Sequence, residues 1–230
     1  IFGPFLRVYN RPEIVGVDNI PSTGPAIIAS NHQSVMDSFF LPLLCPRQIT
    51  FLAKAEYFNG TTPVGRLQKW FFTNVGQRPV NRTSASAGQD ALNTAVEVLN
   101  DGDLFGIYPE GTRSPDGRLY KGKTGVARIA LASGAQVIPV AMIGTRDVNP
   151  IGTWFPRPGK VRVKVGDPIY PIEFVNNRGL ERDSYEAIRA LTDHIMRQLQ
   201  QLSGQEYADV YAAEVKKALA EGGDSSPHNP

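Results

Sequence analysis

The stretch SNHQSVMD, residues 30–37, holds a histidine and an aspartate that could act together as a general base. His32 follows the apolar segment PAIIAS (25–30), and α/β proteins place their sites where such strands end. Asp37 comes five residues later. In one continuous α-helix that spacing separates two side chains by about 140°. The pair can therefore meet only if His32 stays in the turn that precedes the helix.

Ser34 supplies a start for that helix, because Ser34-x-x-Asp37 resembles a capping box. In a His–Asp pair the carboxylate orients the imidazole, and the imidazole removes a proton from the attacking group. A histidine has a reference pKa of about 6.5, so most of it is neutral at pH 7 and can accept a proton. The alternative is that Asp37 only caps the helix and His32 only fills the turn.

A serine nucleophile is disfavoured here. Ser30 and Ser34 lack the glycines of the G-x-S-x-G turn that exposes such a residue. A hydroxyl that arrives with the substrate is therefore the simpler target for His32.

A second set of charged and polar side chains lies in IYPEGTRS, residues 107–114, at the end of another apolar segment. An arginine beside a hydroxyl and exposed amides is suited to binding phosphate, which indicates Thr112 and Arg113. The alternative is a surface ion pair between Glu110 and Arg113, which is common and contributes little.

Residues 117–124, GRLYKGKT, match the G-x-x-x-x-G-K-T pattern of nucleotide-binding loops. Such a loop follows a buried strand directly, whereas the polar turn EGTRSPD separates this one from the strand that ends near Pro109. Arg118, Tyr120 and Lys121 are also bulky for a loop whose amides must cradle a phosphate. The pattern is therefore interpreted as something other than an NTPase site.

Two motifs resemble those of the 1-acylglycerol-3-phosphate acyltransferase family. NHQSVMD fits N-H-x-x-x-x-D, and YPEGTRS fits F-P-E-G-T-R-S with Tyr108 in place of Phe. Both occur in the family's order and at its separation, and the resemblance covers about residues 14 to 166.

Weaker matches lie between and after these motifs. LAKAEYFNGTTPVGRL (52–67) is similar to the family's segment between its first two motifs, and VIPV around Pro139 resembles the fourth. VGQRPVNR resembles the second motif, whose terminal arginine falls on Arg82. KTG (123–125) matches the F-K-x-G turn, with Gly122 where Phe is usual.

The resemblance implies transfer of a fatty acyl group from acyl-CoA or acyl-carrier protein to a hydroxyl of lysophosphatidic acid or glycerol-3-phosphate. A thioester is already activated, so neither a covalent enzyme intermediate nor a cofactor is expected. In this mechanism His32 is the base and Asp37 orients it. Glu110 would orient the acceptor or the arginines, and amides near Gly111 would form an oxyanion site. The residues implied to hold the acceptor phosphate are Arg82, Thr112, Arg113 and Lys123.

Two other functions stay open. One is an acyltransferase for another acceptor, such as a different lysophospholipid or a glycolipid. The other is a non-catalytic phospholipid-binding protein, which would keep the phosphate site but would need neither His32 nor Asp37.

The composition excludes some classes of protein. The 230 residues are 41% hydrophobic with a net charge of +2, which describes a globular protein too weakly basic to indicate nucleic-acid binding. Three scattered histidines and one cysteine, Cys45, offer no metal-ligand cluster and no intramolecular disulfide.

Strand-like and helix-like segments alternate, which predicts an α/β fold: a single domain with a central mostly parallel or mixed sheet flanked by helices. We expect one domain over residues 1–220, a C-terminal helical region over 184–220 and a flexible tail over 221–230. The predicted strands are 25–30, 49–54, 103–109, 136–142 and 160–166, and the earlier helices are 34–45, 86–100 and 124–134.

A lipid product implies a nearby membrane. No segment has the roughly 18 apolar residues that would span one. IFGPFLRVY (1–9) and TWFPRPGK (153–160) mix aromatic and basic residues, as interfacial anchors do, although each could simply be a packed segment. We expect peripheral attachment to the cytoplasmic face of a membrane, or an anchor upstream of Ile1.

Overall fold

The computed structural model describes residues 2–54, 77–80, 86–153 and 155–222. Within them a seven-stranded sheet has the order β1-β8-β7-β2-β5-β3-β4, and a two-stranded sheet pairs β6 with β9. The strands are β1 Glu13–Val15, β2 Ala26–Ser30, β3 Ile49–Lys54, β4 Arg78–Val80, β5 Leu104–Ile107, β6 Leu119–Tyr120, β7 Gln136–Ile143, β8 Arg162–Val165 and β9 Tyr207–Ala208. The helices are α1 Phe2–Tyr9, α2 Asp37–Leu44, α3 Ala87–Asn100, α4 Gly125–Ser133, α5 Thr145–Val148, α6 Pro171–Asn176, α7 Tyr185–Ser203 and α8 Ala212–Ala220.

The large sheet is mixed. Strand β2 pairs in parallel with β5 on one side and β7 on the other, and β5, β3 and β4 continue in parallel. Strand β8 runs antiparallel to β7 and carries β1 beside it. The carboxyl ends of β2, β5 and β7 therefore meet at one edge of the sheet.

Both faces of the sheet are covered, as the alternation along β2 shows. Ile27 and Ala29 pack with helices α3, α4 and α7, whereas Ala26 and Ile28 pack with α1 and α2 on the other face. Every residue of β2 is buried, which is typical of a central strand between two helical layers. The predicted α/β fold with a mixed sheet flanked by helices is confirmed; the domain limits stay a prediction.

The C-terminal region differs from the continuous helical stretch predicted over residues 184–220. Helix α7 ends at Ser203, and Gly204 caps it with a φ of 72°, the left-handed conformation that glycine adopts readily. The chain then runs extended, and β9 pairs with β6 before α8 begins. Residues 223–230 of the predicted tail lie outside the described residues.

Candidate active site

The two sequence motifs lie side by side at the carboxyl edge of the sheet. His32 comes two residues after β2, and Glu110 comes three residues after the neighbouring β5. The Asn31 side chain extends the sheet, because it accepts the Met142 N–H at 2.7 Å and donates to the Met142 carbonyl at 3.0 Å. The Ser114 N–H donates to the His32 carbonyl at 2.7 Å. Hydrogen bonds thus connect the histidine turn to strand β7 and to the loop that follows β5.

His32 and Asp37 are in contact. Nδ1 of the imidazole lies 2.9 Å from Oδ2 of the carboxylate, which also accepts the N–H groups of Gln33 at 2.6 Å and Ser34 at 2.8 Å. The Asp37 side chain is 0% exposed and that of His32 17% exposed. With Nδ1 facing the carboxylate, Nε2 is the nitrogen that remains to take a proton.

The turn before α2 makes this contact possible, but it differs from the predicted capping box. The helix begins at Asp37, with Met36 at its N-cap. The Ser34 hydroxyl accepts the Met36 N–H at 3.2 Å and donates to the Asn149 carbonyl at 2.9 Å. Of the two bonds of a capping box, only the one in which the Asp37 carboxylate accepts the Ser34 N–H forms. The Asp37 N–H donates to the Ser34 carbonyl and not to its hydroxyl. The buried Ser34 hydroxyl is engaged in these bonds, which agrees with its exclusion as a nucleophile.

An aromatic stack supports the imidazole, and sequence reasoning missed this role of Tyr108. The Tyr108 ring stacks on His32 at 3.9 Å between centroids with 11° between the planes, and Phe51 stacks behind Tyr108 at 5.5 Å. Phe51 can lie there because Gly106 has no Cβ, which would meet the ring at 2.4 Å. The Tyr108 hydroxyl lies 3.1 Å from the Ser38 hydroxyl. Desolvation, with the nearby Asp37 charge, raises the Tyr108 pKa, so the phenol stays protonated.

Glu110 joins the two motifs. Its side chain is completely buried, with Oε1 accepting the His32 N–H at 2.9 Å and Oε2 accepting the Tyr120 N–H at 3.0 Å. Burial raises its pKa to about 7, although these two N–H groups and the Lys216 charge act in the opposite direction. The carboxylate therefore bonds backbone rather than forming the surface ion pair considered with Arg113. Its predicted role toward the acceptor stays a prediction.

Cationic and small residues gather beside this turn. Gly111 has a φ of 73°, and a Cβ placed on it would lie 3.3 Å from Lys123 Nζ, so the ammonium lies over the glycine. Thr112 Oγ1 accepts from Lys216 Nζ at 2.7 Å, and the Arg113 charge acts on the same lysine. The structure thus brings together the described members of the predicted phosphate site. Predicted Arg82 lies outside the described residues.

One amide of the predicted oxyanion site is bonded within the turn, and one lysine near the site was not predicted from the sequence. The Gly111 N–H donates to the Tyr108 carbonyl at 2.9 Å, so this amide is already bonded within the protein, and the predicted oxyanion site near Gly111 stays a prediction. Lys216 was missed because it lies in α8, far along the chain, and no motif spacing connects it to Arg113. Its only signal was a basic residue in an amphipathic helix.

The nucleotide-loop pattern does not form a phosphate cradle. Strand β6 lies in the middle of residues 117–124, and their amides bond to protein oxygens instead of facing a common point. The bonds run from Gly117 N–H to Ser114 Oγ, from Leu119 N–H to the Glu206 carbonyl, from Tyr120 N–H to Glu110, from Lys121 N–H to the Ala208 carbonyl and from Lys123 N–H to the Pro109 carbonyl. This agrees with the interpretation of the pattern from the sequence.

The remaining titratable candidates lie apart from these contacts. His194 in α7 packs on the Phe174 ring at 4.9 Å, where desolvation and two arginine charges lower its pKa. Burial raises the pKa of the Cys45 thiol, which favours the inert protonated form. No group of three potential metal ligands is found in the part of the chain that the structure describes.

Comparison with known proteins gives three consistent results. The model of the family described as Acyltransferase matches residues 11–143. A chloroplast 1-acyl-sn-glycerol-3-phosphate acyltransferase of Arabidopsis thaliana is 33% identical over 169 residues, which are 73% of this chain and 45% of the relative. The Bacillus subtilis 1-acyl-sn-glycerol-3-phosphate acyltransferase is 27% identical over 201 residues, covering 86% of this chain and 87% of the relative.

Among solved structures, the 1-acyl-sn-glycerophosphate acyltransferase PlsC of Thermotoga maritima superposes with a TM-score of 0.67 at 32% identity. The match covers 87% of this chain and 76% of that one. The chain spans about half the length of the chloroplast relatives that it matches: 45% of the Arabidopsis thaliana protein and 46% of a 1-acyl-sn-glycerol-3-phosphate acyltransferase of Brassica napus.

Proposed function

Since the chain belongs to the acyltransferase family, we propose that it transfers a fatty acyl group to the free hydroxyl of lysophosphatidic acid. Its relatives bear the name 1-acyl-sn-glycerol-3-phosphate acyltransferase, and glycerol-3-phosphate is the alternative acceptor. The observation that carries the proposal is the His32–Asp37 contact beside a cluster of cationic side chains. A proton acceptor next to an anion-binding surface is what a phosphorylated alcohol requires.

The acceptor would bind first through its phosphate. Arg113 offers a planar fork of donors, and Lys123 adds a mobile ammonium over Gly111, where the absent side chain leaves room. Thr112 contributes a hydroxyl. The loop that carries Thr112 and Arg113 is tied to His32, because the Ser114 N–H donates to the His32 carbonyl. This bond fixes the separation between the proposed phosphate site and the base. Holding the acceptor at one end directs its hydroxyl toward the base, which lowers the entropic part of the barrier.

The chemical step needs one proton transfer and one exchange of bonds. Nε2 of His32 takes the hydroxyl proton while the oxygen attacks the thioester carbonyl, and Asp37 stabilises the imidazolium that forms. Amides that follow Gly111 would bind the oxyanion. When the tetrahedral intermediate collapses, the C–S bond breaks and the thiolate takes the proton from His32. An ester and a free thiol leave, and the base is restored.

An apolar cavity offers a place for the acyl chain. It lies between α1 and α2, has a volume of about 430 Å³, and is lined by residues that include Leu6, Ser38, Phe39 and Pro42. Its wall includes Ser38, whose hydroxyl contacts Tyr108, and Tyr108 stacks on His32, so the cavity lies one side chain away from the proposed base's support. The donor would be a thioester of coenzyme A or of acyl-carrier protein, and no other cofactor is needed.

Two segments with interfacial composition meet on the surface. The Phe5 ring of α1 lies 6.1 Å from that of Phe155 and stacks on Tyr9 at 4.9 Å. Val8 is 77% exposed and Phe155 57% exposed, and the exposed Arg7 is close by in the chain. Aromatic and basic residues on one surface favour binding to an anionic lipid surface, here the cytoplasmic face of a membrane. Within the described residues, no helix combines the length and the hydropathy that a transmembrane span requires.

Release of free thiol from palmitoyl-CoA tests the proposed function. The purified protein would be assayed with lysophosphatidic acid, glycerol-3-phosphate, lysophosphatidylcholine or no acceptor, and the esterified product identified by mass spectrometry. We expect release that depends on lysophosphatidic acid, with phosphatidic acid as product. Equal release without an acceptor would indicate a thioesterase. If release is absent with both palmitoyl-CoA and palmitoyl-acyl-carrier protein while lysophospholipids bind, the non-catalytic binding protein is the better description.

A further inference from the structure

A lysine outside the family match reaches the candidate phosphate site. Helix α8 lies beyond residues 11–143, and its Lys216 ammonium donates to Thr112 Oγ1 at 2.7 Å. The neighbouring Lys217 is exposed and pairs with Glu221 at 3.9 Å on the helix surface. Two adjacent lysines of one helix therefore differ sharply: one faces the site and the other faces solvent.

The charges around Lys216 suit an added anion. Desolvation and the Arg113 charge lower the Lys216 pKa, and only Glu110 acts in the opposite direction. None of the ion pairs between described residues includes Lys216, Arg113 or Lys123. Glu110 is a weak counter-charge, because its own pKa of about 7 leaves it partly protonated near neutral pH. The charges of Lys216 and Arg113 are close enough to repel each other, and Lys123 lies over the neighbouring Gly111, so a phosphate bound here would relieve that repulsion.

The position of Lys216 does not depend on its own hydrogen bond. The segment that leads into α8 is fastened by backbone pairing of β6 with β9 and by Gln205, which donates to the Gly117 carbonyl at 2.6 Å. Lys121 and Asp209 add an ion pair at 3.0 Å. Removing the Lys216 charge should therefore leave the helix in place, so a loss of binding can be separated from a loss of structure.

We propose that Lys216 is a further binding residue for the acceptor phosphate, acting with Arg113 and Lys123, so that α8 completes the acceptor site. The inference rests on the proposed function for the identity of the acceptor. It also specifies the class of headgroup. Three cations fit a phosphomonoester dianion better than a phosphodiester with a single negative charge. We therefore expect lysophosphatidic acid to bind more tightly than lysophosphatidylcholine, and we expect Lys216 to supply part of that difference in affinity.

Binding and turnover measured together test this role. Short-chain hexanoyl lysophosphatidic acid would be titrated calorimetrically into wild type, Lys216→Gln, Lys216→Arg and Lys217→Gln, and KM and kcat would be measured with palmitoyl-CoA. We expect Lys216→Gln to weaken binding and raise KM about tenfold, the loss typical of one charge-assisted hydrogen bond. Its kcat and Tm should change little, Lys216→Arg should recover most of the affinity, and Lys217→Gln should match wild type.

Several results would overturn the inference. One is a Lys216→Gln protein that binds as Lys217→Gln does. Another is a fall in kcat and Tm with an equal loss for hexanoyl lysophosphatidylcholine, which would make Lys216 a structural anchor. If wild type binds hexanoyl lysophosphatidic acid in a Lys216-dependent way but transfers no acyl group, the inference stands and the proposed function fails. If wild type neither binds nor acylates it, both fail.

Discussion

His32 Nδ1 lies 2.9 Å from Asp37 Oδ2, and the same oxygen accepts two backbone N–H groups from the turn between the two residues. The carboxylate is completely buried, whereas the imidazole remains 17% exposed. In the proposed mechanism Asp37 would orient the ring and stabilise its charged form, while its burial keeps it from contacting a substrate directly.

Asp37→Asn should reduce activity without unfolding the protein. The amide oxygen can still accept the N–H groups of Gln33 and Ser34, and the other oxygen, Oδ1, has no hydrogen-bond partner within the described structure to lose. The neutral amide no longer stabilises the imidazolium, so kcat should fall by about 10²-fold or more. Steady-state kinetics with palmitoyl-CoA and lysophosphatidic acid measure this. Asp147→Asn, at an exposed position, is the matched control, and an Asp37→Asn kcat equal to that of the control would refute the orienting role.

Arg113→Ala should act mainly on acceptor binding. Arg113 lies between Thr112 and Ser114 in the chain, and its charge acts on Lys216. The Ser114 N–H bonds the His32 carbonyl, which ties this loop to the histidine turn. Loss of a bidentate phosphate contact should raise the KM for lysophosphatidic acid at least tenfold, with a smaller change in kcat. Arg128→Ala, on the exposed side of α4, controls for the loss of one positive charge. An unchanged KM would remove Arg113 from the phosphate site.

Tyr108 should matter through its ring and not through its hydroxyl. Tyr108→Phe keeps the stack on His32 and loses only the contact with Ser38, so we expect kcat within about threefold of wild type. Tyr108→Ala removes the stacked ring and should lower kcat much further, because the imidazole loses its orientation. The kcat of each variant, measured below its own Tm so that the protein is folded, distinguishes a role of the ring from a role of the hydroxyl. Equal activity of the Phe and Ala variants would show that the stack does not position the base.

Glu110 should make stability depend on pH. Its pKa rises from 4.5 to about 7 in the folded protein because the carboxyl is buried. The folded state therefore binds more protons than the unfolded state between these values. The Glu110 contribution to stability is consequently lost as pH rises through that window, by about 3 kcal/mol in total. Glu110→Gln lacks this titration.

Urea unfolding of both proteins at several pH values from 4.5 to 7.5 measures the effect. The difference in free energy of unfolding, wild type minus Glu110→Gln, should decrease as pH rises. Because other groups titrate alike in both proteins, their contributions cancel in this difference. A difference that stays constant or increases with pH would show that Glu110 does not titrate in this window.

Some of these relationships could be predicted from the sequence because they are local or follow apolar runs. The His32–Asp37 contact required only that the helix start after the histidine, and the buried strands were visible as short apolar segments. The burial of Glu110 was not predictable, because a charged residue in a polar turn usually faces water. Strands β6 and β9 are two residues each, too short to show a period of two. Lys216 reaches the site through that pairing, so it could not be found either.

The break between helices α7 and α8 could be predicted in part from the sequence. Gly204 follows the last apolar residue of α7 and marks a helix end, as Gly134 does for α4. The amphipathic pattern on both sides of Gly204 nevertheless favoured one continuous stretch. What the sequence does not show is that the intervening residues pair with β6, because the partner strand lies in a loop far along the chain.

The most direct test measures acyl transfer from palmitoyl-CoA to lysophosphatidic acid by wild type, His32→Ala and His194→Ala. The release of free thiol gives the rate for each protein. His194 packs on Phe174 away from the motif turns, so its variant controls for loss of a histidine. If His32 is the base, His32→Ala should lose about 10²- to 10⁴-fold in kcat with its fold intact by circular dichroism, and His194→Ala should remain active. A folded His32→Ala protein that transfers acyl groups at the wild-type rate would contradict the assignment of the base.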